Sequence, residues 1–308
     1  MMVILFSTMR AQLSLLLLIL FLAALSQGGS FLGPANKDAL VFDEMNAIKI
    51  AQANLTATGL NSSYPFGGIA IYSENQNISG TFRGPREISG AEISVSLTAL
   101  RSPESLMTLM DRSTKSVAGS LIQLNHTGSA HFSLPGVASG AYLISVSDVL
   151  NHTTLCISPL LVTKEELSIP SPSALRSEGM TRIRLNVSGG NETKIYGAIM
   201  MPKKDYETAS ISICANGTSK DLLATIALGN KSLQIQNILI NSSQLMMSLL
   251  TILPADSALA YQESKENETE LLLLTDEPLK KGEYMLTCAV YSARRGILGL
   301  MQRELVVM

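Results

Sequence analysis

The chain has 308 residues, 46% apolar and 16% charged, and its 23 Lys plus Arg against 25 Asp plus Glu leave a net charge of −2. Near-neutral charge excludes a polybasic nucleic-acid binder, and the apolar fraction excludes wholesale disorder. Three Cys and no Trp exclude a disulfide-dense scaffold, a multi-zinc protein and a sugar site built on indole platforms.

Residues Met1–Gly29 place Arg10 ahead of the uncharged, leucine-rich run Ala11–Leu25, and small residues follow to Ser30. That layout predicts a secretory signal peptide over residues 1–28, cleaved within Ala24–Gly29. The apolar run falls short of the about 20 residues of a spanning helix, which favours cleavage over retention as an anchor. Because Met1–Thr8 is also largely apolar, a membrane-tethered ectodomain is the alternative. At the other end, Arg303–Met308 reads as a strand rather than as a GPI-type hydrophobic tail.

Residues 29–66 read as a helical and linker segment. Within Ala39–Ala53, the residues Val41, Phe42, Met45, Ile48 and Ile50 fall near helical spacing. After Tyr64-Pro65-Phe66-Gly67-Gly68 the period changes to two. Gly90–Leu100 alternates strictly, with Ile93, Val95, Leu97 and Ala99 on one face. Ala130–Leu134, Gly140–Val146 and Leu160–Thr163 continue the series, so 67–168 reads as a first β-sandwich-like domain.

A Pro/Ser-rich segment over 169–179 predicts a hinge. From 180 to 308 a second β-sandwich-like domain follows. It opens on Thr181–Ser188, where Ile183, Leu185 and Val187 alternate against Arg182, Arg184 and Asn186. Further strands are predicted at Lys194–Met200, Ala209–Ala215, Leu222–Leu228, Glu270–Leu274, Glu283–Tyr291 and Glu304–Val307. Two helical insertions are predicted, Ser102–Met110 with a Ser cap and Pro at its first position, and Ser243–Leu253 stopped by Pro254. The fold class is therefore mainly β, with two Ig-like or prealbumin-like sandwich modules, short helical insertions and an N-terminal signal helix. The pairs Leu106/Leu245, Leu109/Leu249, Gly140/Gly282, Tyr142/Tyr284 and Val162/Val306 suggest an internal repeat. Two unrelated sandwiches with common hairpin patterns would also produce them.

Eleven of the 15 Asn stand in N-x-S/T: Asn54, Asn61, Asn77, Asn125, Asn151, Asn186, Asn191, Asn216, Asn230, Asn241 and Asn267. Chance placement gives about three. The excess predicts a glycan coat on an exported chain.

Residues that carry chemistry are few. The sequence contains none of the zincin, thioredoxin-type, nucleophile-elbow or P-loop motifs. His126 and His152 sit inside sequons, and His131 lies beside an apolar strand face, so all three read as surface residues. Cys214–Cys288 is the one disulfide with the look of an inter-sheet pair, and strand parity weighs against it. The run Glu263, Glu266, Glu268 and Glu270 reads as a solvated loop more than a calcium site. The doublets Lys203-Lys204, Lys280-Lys281 and Arg294-Arg295 read as isolated turns. No cofactor is expected.

The stretches Ile78–Leu100, His131–Val146, Tyr196–Asp205 and Lys280–Tyr291 resemble the methanogen extracellular protein domain family, found in secreted and surface proteins of methanogenic archaea. The resemblance runs from about Gly67 to Met308 and implies an exported, N-glycosylated protein whose thiols stay reduced. It transfers no catalytic residue. The sequence is thus read as a non-catalytic extracellular or cell-surface glycoprotein acting in adhesion, envelope organisation or partner binding. Its partners would be envelope or extracellular proteins or glycans, with no nucleic acid and no membrane beyond the N-terminal segment. The alternative is an exported hydrolase using scattered carboxylates such as Glu263, Glu266, Asp276 and Glu277.

Overall fold

The computed structural model describes residues 39–43, 47–58, 62–99, 116–170, 174–175, 181–216, 221–236, 248, 251–273, 279–292 and 295–308. These are mainly β-strand. Up to Pro170 lie β1 (Leu40–Phe42), β2 (Ala47–Thr58), β3 (Ser62–Ser73), β4 (Ile78–Arg83), β5 (Glu92–Ala99), β6 (Ala118–Gln123), β7 (Ser129–Leu134), β8 (Gly140–Asp148), β9 (Thr153–Thr163) and β10 (Leu167–Ser168). Beyond it come β11 (Ala174–Leu175), β12 (Arg182–Val187), β13 (Lys194–Pro202), the short helix α1 (Lys203–Tyr206), β14 (Ser210–Asn216), β15 (Asp221–Leu228) and β16 (Lys231–Gln236). The chain then runs through β17 (Ala258–Ser264), β18 (Glu268–Leu272), β19 (Gly282–Ser292) and β20 (Gly296–Val307). No helix among the described residues is long and apolar enough to cross a membrane.

Alternation decides which side chains go inside. In β5, Ile93, Val95 and Leu97 are fully buried, and in β12 Ile183, Leu185 and Val187 are, while Arg182, Arg184 and Asn186 face water. Among the described residues this fills two apolar cores. One takes Phe82 and Phe132 from the sheet β1-β4-β7 and Val95, Ile144, Val146 and Val162 from the order β3-β9-β8-β5-β6. The other takes Ile183, Leu185 and Leu271 from the sheet β10-β12-β18 and Tyr196, Leu286, Cys288 and Leu305 from the sheet β11-β20-β19-β13-β17. In the first core Gly80 has no alternative, because a Cβ there would lie 2.6 Å from the Val41 carbonyl and 2.9 Å from the Phe132 ring.

The two halves share one strand order. The series β1-β4-β7 with β3-β9-β8-β5-β6 corresponds element by element to β10-β12-β18 with β11-β20-β19-β13-β17. In both, the outermost strand of the larger set runs parallel to its neighbour, β3 to β9 and β11 to β20, and every other pair is antiparallel. Val162 pairs with Tyr72 and Val306 with Ala174 in these parallel ladders. Tyr142 and Tyr284 each donate a hydroxyl to the carbonyl four residues earlier, Ala138 at 2.7 Å and Lys280 at 2.9 Å. The shared order thus sets the matched tyrosines and valines at equivalent positions in the two series. The leucine pairs Leu106/Leu245 and Leu109/Leu249 lie outside the described residues.

Several sequence expectations are corrected. Of the expected helix Ala39–Ala53, Leu40–Phe42 form β1 and Ala47–Ala53 open β2, while 44–46 lie outside the described residues; apolar residues drawn from two separate strands imitate a helical period. Strand β2 pairs antiparallel with β3 and parallel with β14, in register Ile211 with Ala53 through Asn216 with Thr58. The nine-stranded sheet β16-β15-β14-β2-β3-β9-β8-β5-β6 therefore joins residues from both sides of Pro170. Within the segment 169–179 expected as a hinge, Ala174 and Leu175 form β11 and pair with Val306 and Val307. The signal segment and Ser102–Met110 lie outside the described residues; of Ser243–Leu253, Ser248, Thr251 and Ile252 are helical.

Candidate functional site

A groove of about 530 Å³ lies where α1 meets the turn before β19. Pro202 ends β13 and turns the chain into α1, which carries Lys203 and Lys204 to one wall. Lys280 and Lys281 also line it. The sequence places these doublets in separate turns, and the structure brings them together. Lys203 bridges Glu283 at 3.3 Å and Glu304 at 3.0 Å, and Lys280 meets Asp256 at 3.0 Å. The two carboxylates hold the Lys203 ammonium above its ordinary range. Tyr284 lies behind the groove, buried and bonded to the Lys280 carbonyl, and burial raises its phenol. The third doublet is used differently: Arg295 binds Glu192 and, at 2.6 Å, Glu165, and Arg294 lies outside the described residues.

The sequon residues Asn77, Asn125, Asn151, Asn186, Asn191, Asn230 and Asn267 are all exposed. Asn125 builds its own turn, its Oδ1 accepting from the Thr127 hydroxyl at 2.6 Å and from the Thr127 and Ser129 amides. Asn151 donates through its amide and side chain to Asp148, and these donors hold that carboxyl below its ordinary range. The Asn267 turn is fixed by Lys194, whose buried ammonium donates to Asn267 Oδ1 at 2.9 Å, to Lys265 O at 3.2 Å and to Gly190 O at 2.6 Å. Asn54 and Asn216 lie on the paired strands β2 and β14, and Asn61 and Asn241 lie outside the described residues.

The remaining candidates are dispersed. No disulfide joins Cys214 to Cys288: Cys288 is buried in the second core, whereas Cys214 sits on β14 opposite Leu223 and Thr56 in the nine-stranded sheet. Cys156 is buried in the first core, where burial pushes its thiol up to about 12, and burial also raises the Cys288 thiol. His126, His131 and His152 are exposed, with His131 3.8 Å from Asp43. Glu263, Glu266, Glu268 and Glu270 are exposed as well, and Glu268 and Glu270 pair across strands with Arg184 and Arg182. The structure does not gather them around a cleft, and Asp276 and Glu277 lie outside the described residues. The lysine groove is the site that sequence reading missed. Its doublets are far apart in the chain, and only the β13–β19 pairing, Pro202 opposite Tyr284, joins them.

Strand content and order define a mainly β protein. No family model and no curated protein matches the chain. Among solved structures it is similar to the fibronectin(III)-like modules of Clostridium thermocellum CbhA, at 8% identity over 87% of this chain and 93% of that one, with a TM-score of 0.21. It is also similar to the D0-D1 domain of intimin, at 8% identity over 87% and 98%, with a TM-score of 0.23. Escherichia coli alpha-2-macroglobulin matches at 10% identity over 80% of this chain and 23% of its own length, with a TM-score of 0.26. Overlap this low leaves the description of the fold resting on the strand pairing itself.

Proposed function

We propose that this chain is an exported, N-glycosylated, non-catalytic protein of the cell surface or extracellular space. On this reading it consists of two tandem β-sandwich modules and works in adhesion, envelope organisation or partner binding, as the resemblance to the methanogen extracellular protein domain family implies. The observation that carries the reading is the exposure of all seven sequon asparagines whose burial is described, set against a core that alternation fills with apolar side chains. The matched strand orders and the β2–β14 ladder support a rigid tandem frame rather than modules on a loose tether.

The test is secretion from an N-glycosylating host, followed by intact-mass measurement, glycopeptide mapping and capture of envelope fractions. Glycans on Asn77, Asn125, Asn186 and Asn267 and capture of an envelope component are expected. Retention in the cytosol, or a secreted chain with bare sequons, would overturn the reading.

A further inference from the structure

We propose that the groove between α1 and the turn before β19 binds an acidic oligosaccharide through the ammonium groups of Lys204 and Lys281. This deepens the binding role above and rests on it for its extracellular setting. The groove's volume of about 530 Å³ falls in the about 300–1,000 Å³ range of ligand pockets. Its four lysines divide into two kinds. Lys203 and Lys280 are held by Glu283, Glu304 and Asp256, so they build the walls. Lys204 and Lys281 are exposed and make no ion pair among the described residues. Of the lining carboxylates among the described residues, Glu283 and Asp256 are taken up in ion pairs, which leaves Glu207 to set against these two charges.

An unpaired ammonium is a point charge with three donors, suited to a carboxylate or sulfate without demanding the planar geometry that arginine reads. None of the described lining side chains is an exposed large apolar one, and the Tyr284 hydroxyl is already committed. A hydroxyl-rich anion satisfies such walls, whereas an acidic peptide would find no pocket for its apolar side chains. Among the described residues no sequon asparagine lines the groove, so the seven exposed ones do not plant a glycan in it.

Calorimetric titration of the full glycosylated chain tests the proposal. The probes are an oligogalacturonate, a sulfated oligosaccharide, a neutral oligosaccharide of equal length and oligoglutamate. One or both acidic sugars are expected to bind, which of them does so separating uronate from sulfate recognition, and affinity should fall as salt rises. The double variant Lys204→Ala/Lys281→Ala should weaken that binding at least about ten-fold, while Lys265→Ala leaves it unchanged. Both Lys204 and Lys281 are exposed, so a matching thermal melt separates lost binding from lost folding. The proposal falls if neither acidic sugar binds, if the neutral sugar binds equally, if oligoglutamate binds more tightly, or if the double variant binds as well as the parent. Envelope capture that persists in the double variant with no acidic-sugar binding would overturn the groove alone and leave the broader role standing.

Discussion

The phenol of Tyr284 donates to the carbonyl of Lys280 at 2.9 Å, which fastens one wall of the lysine groove to the second core. Its counterpart Tyr142 makes the same bond to Ala138 at 2.7 Å in the first core, away from the lysine groove. Tyr284→Phe and Tyr142→Phe keep the buried ring and remove one hydroxyl. Each should therefore cost about 0.5–1.5 kcal/mol, read as a lowered urea midpoint. Only Tyr284→Phe should also speed amide exchange at Lys281 and Gly282. Equal exchange in the two variants would show that the bond does not hold the groove wall.

Burial makes the fold sensitive to alkali. It pushes the thiol of Cys156 and the phenols of Tyr196 and Tyr291 up to about 12. In the unfolded chain these groups titrate near 9 and 10. Above pH 9 the unfolded state therefore releases protons that the folded state retains, and the equilibrium shifts toward unfolding. Their contribution is complete below pH 9 and is lost as pH rises toward 12. Denaturant midpoints measured from pH 7 to 11 should be flat to about pH 9 and then decline. At pH 8 a maleimide should leave Cys156 and Cys288 unmodified in the native protein and label both in denaturant.

What could be read in the sequence was the half-buried strands. Ile93, Val95 and Leu97, and again Ile183, Leu185 and Val187, alternate against polar neighbours because one face meets a core and the other does not. Strands β8, β13 and β19 carry longer apolar runs because both of their faces are covered, and a run of that kind marks burial without giving a face. Strand β2 was not legible at all. One partner, β14, lies in the other half of the chain and leaves no local pattern, and the pairing with the adjacent β3 shifts register between Lys49 and Ala53, which breaks the alternation. The groove was hidden for the same reason. Lys204 and Lys281 are ordinary turn lysines until β13 and β19 pair.

Lys194 tests whether a buried charge is supported by carbonyls alone. Its side chain is fully buried and donates to three oxygens, on Gly190, Lys265 and Asn267, with no carboxylate among them. Lys194→Met keeps most of the apolar stem and leaves those acceptors without their donor. Hydrogen bonds to a charged group contribute about 1.5–3 kcal/mol each, and solvent reaching the turn would recover part of that. A net loss of about 2–3 kcal/mol is expected, read as a drop in denaturant midpoint. Amide exchange should rise at Lys265–Asn267. Unchanged stability would mean that water enters the turn in place of the ammonium.

The short connection between the two cores is held from both sides. Lys164 reaches Glu74 at 3.9 Å beside the first core, and Glu165 meets Arg295 at 2.6 Å beside the second. Arg295 also binds Glu192, and the Ser188 hydroxyl donates to the second Glu165 oxygen at 3.0 Å. Both carboxylates are mostly buried, so removing the arginine would leave two like charges facing each other with little water between them. Arg295→Ala should therefore cost about 2–3 kcal/mol, below the about 3–5 kcal/mol of a fully buried pair because the site keeps some exposure. Adding Glu165→Gln to Arg295→Ala should recover part of the loss, since it removes one of the stranded charges. The fixed connection also makes a shape prediction. Small-angle scattering of the parent should fit one rigid arrangement of the two cores, and the Arg295→Ala protein should still fit it, because the β2–β14 ladder joins them independently. A scattering profile that requires several arrangements in the parent would show that neither the ion cluster nor the ladder holds the cores together.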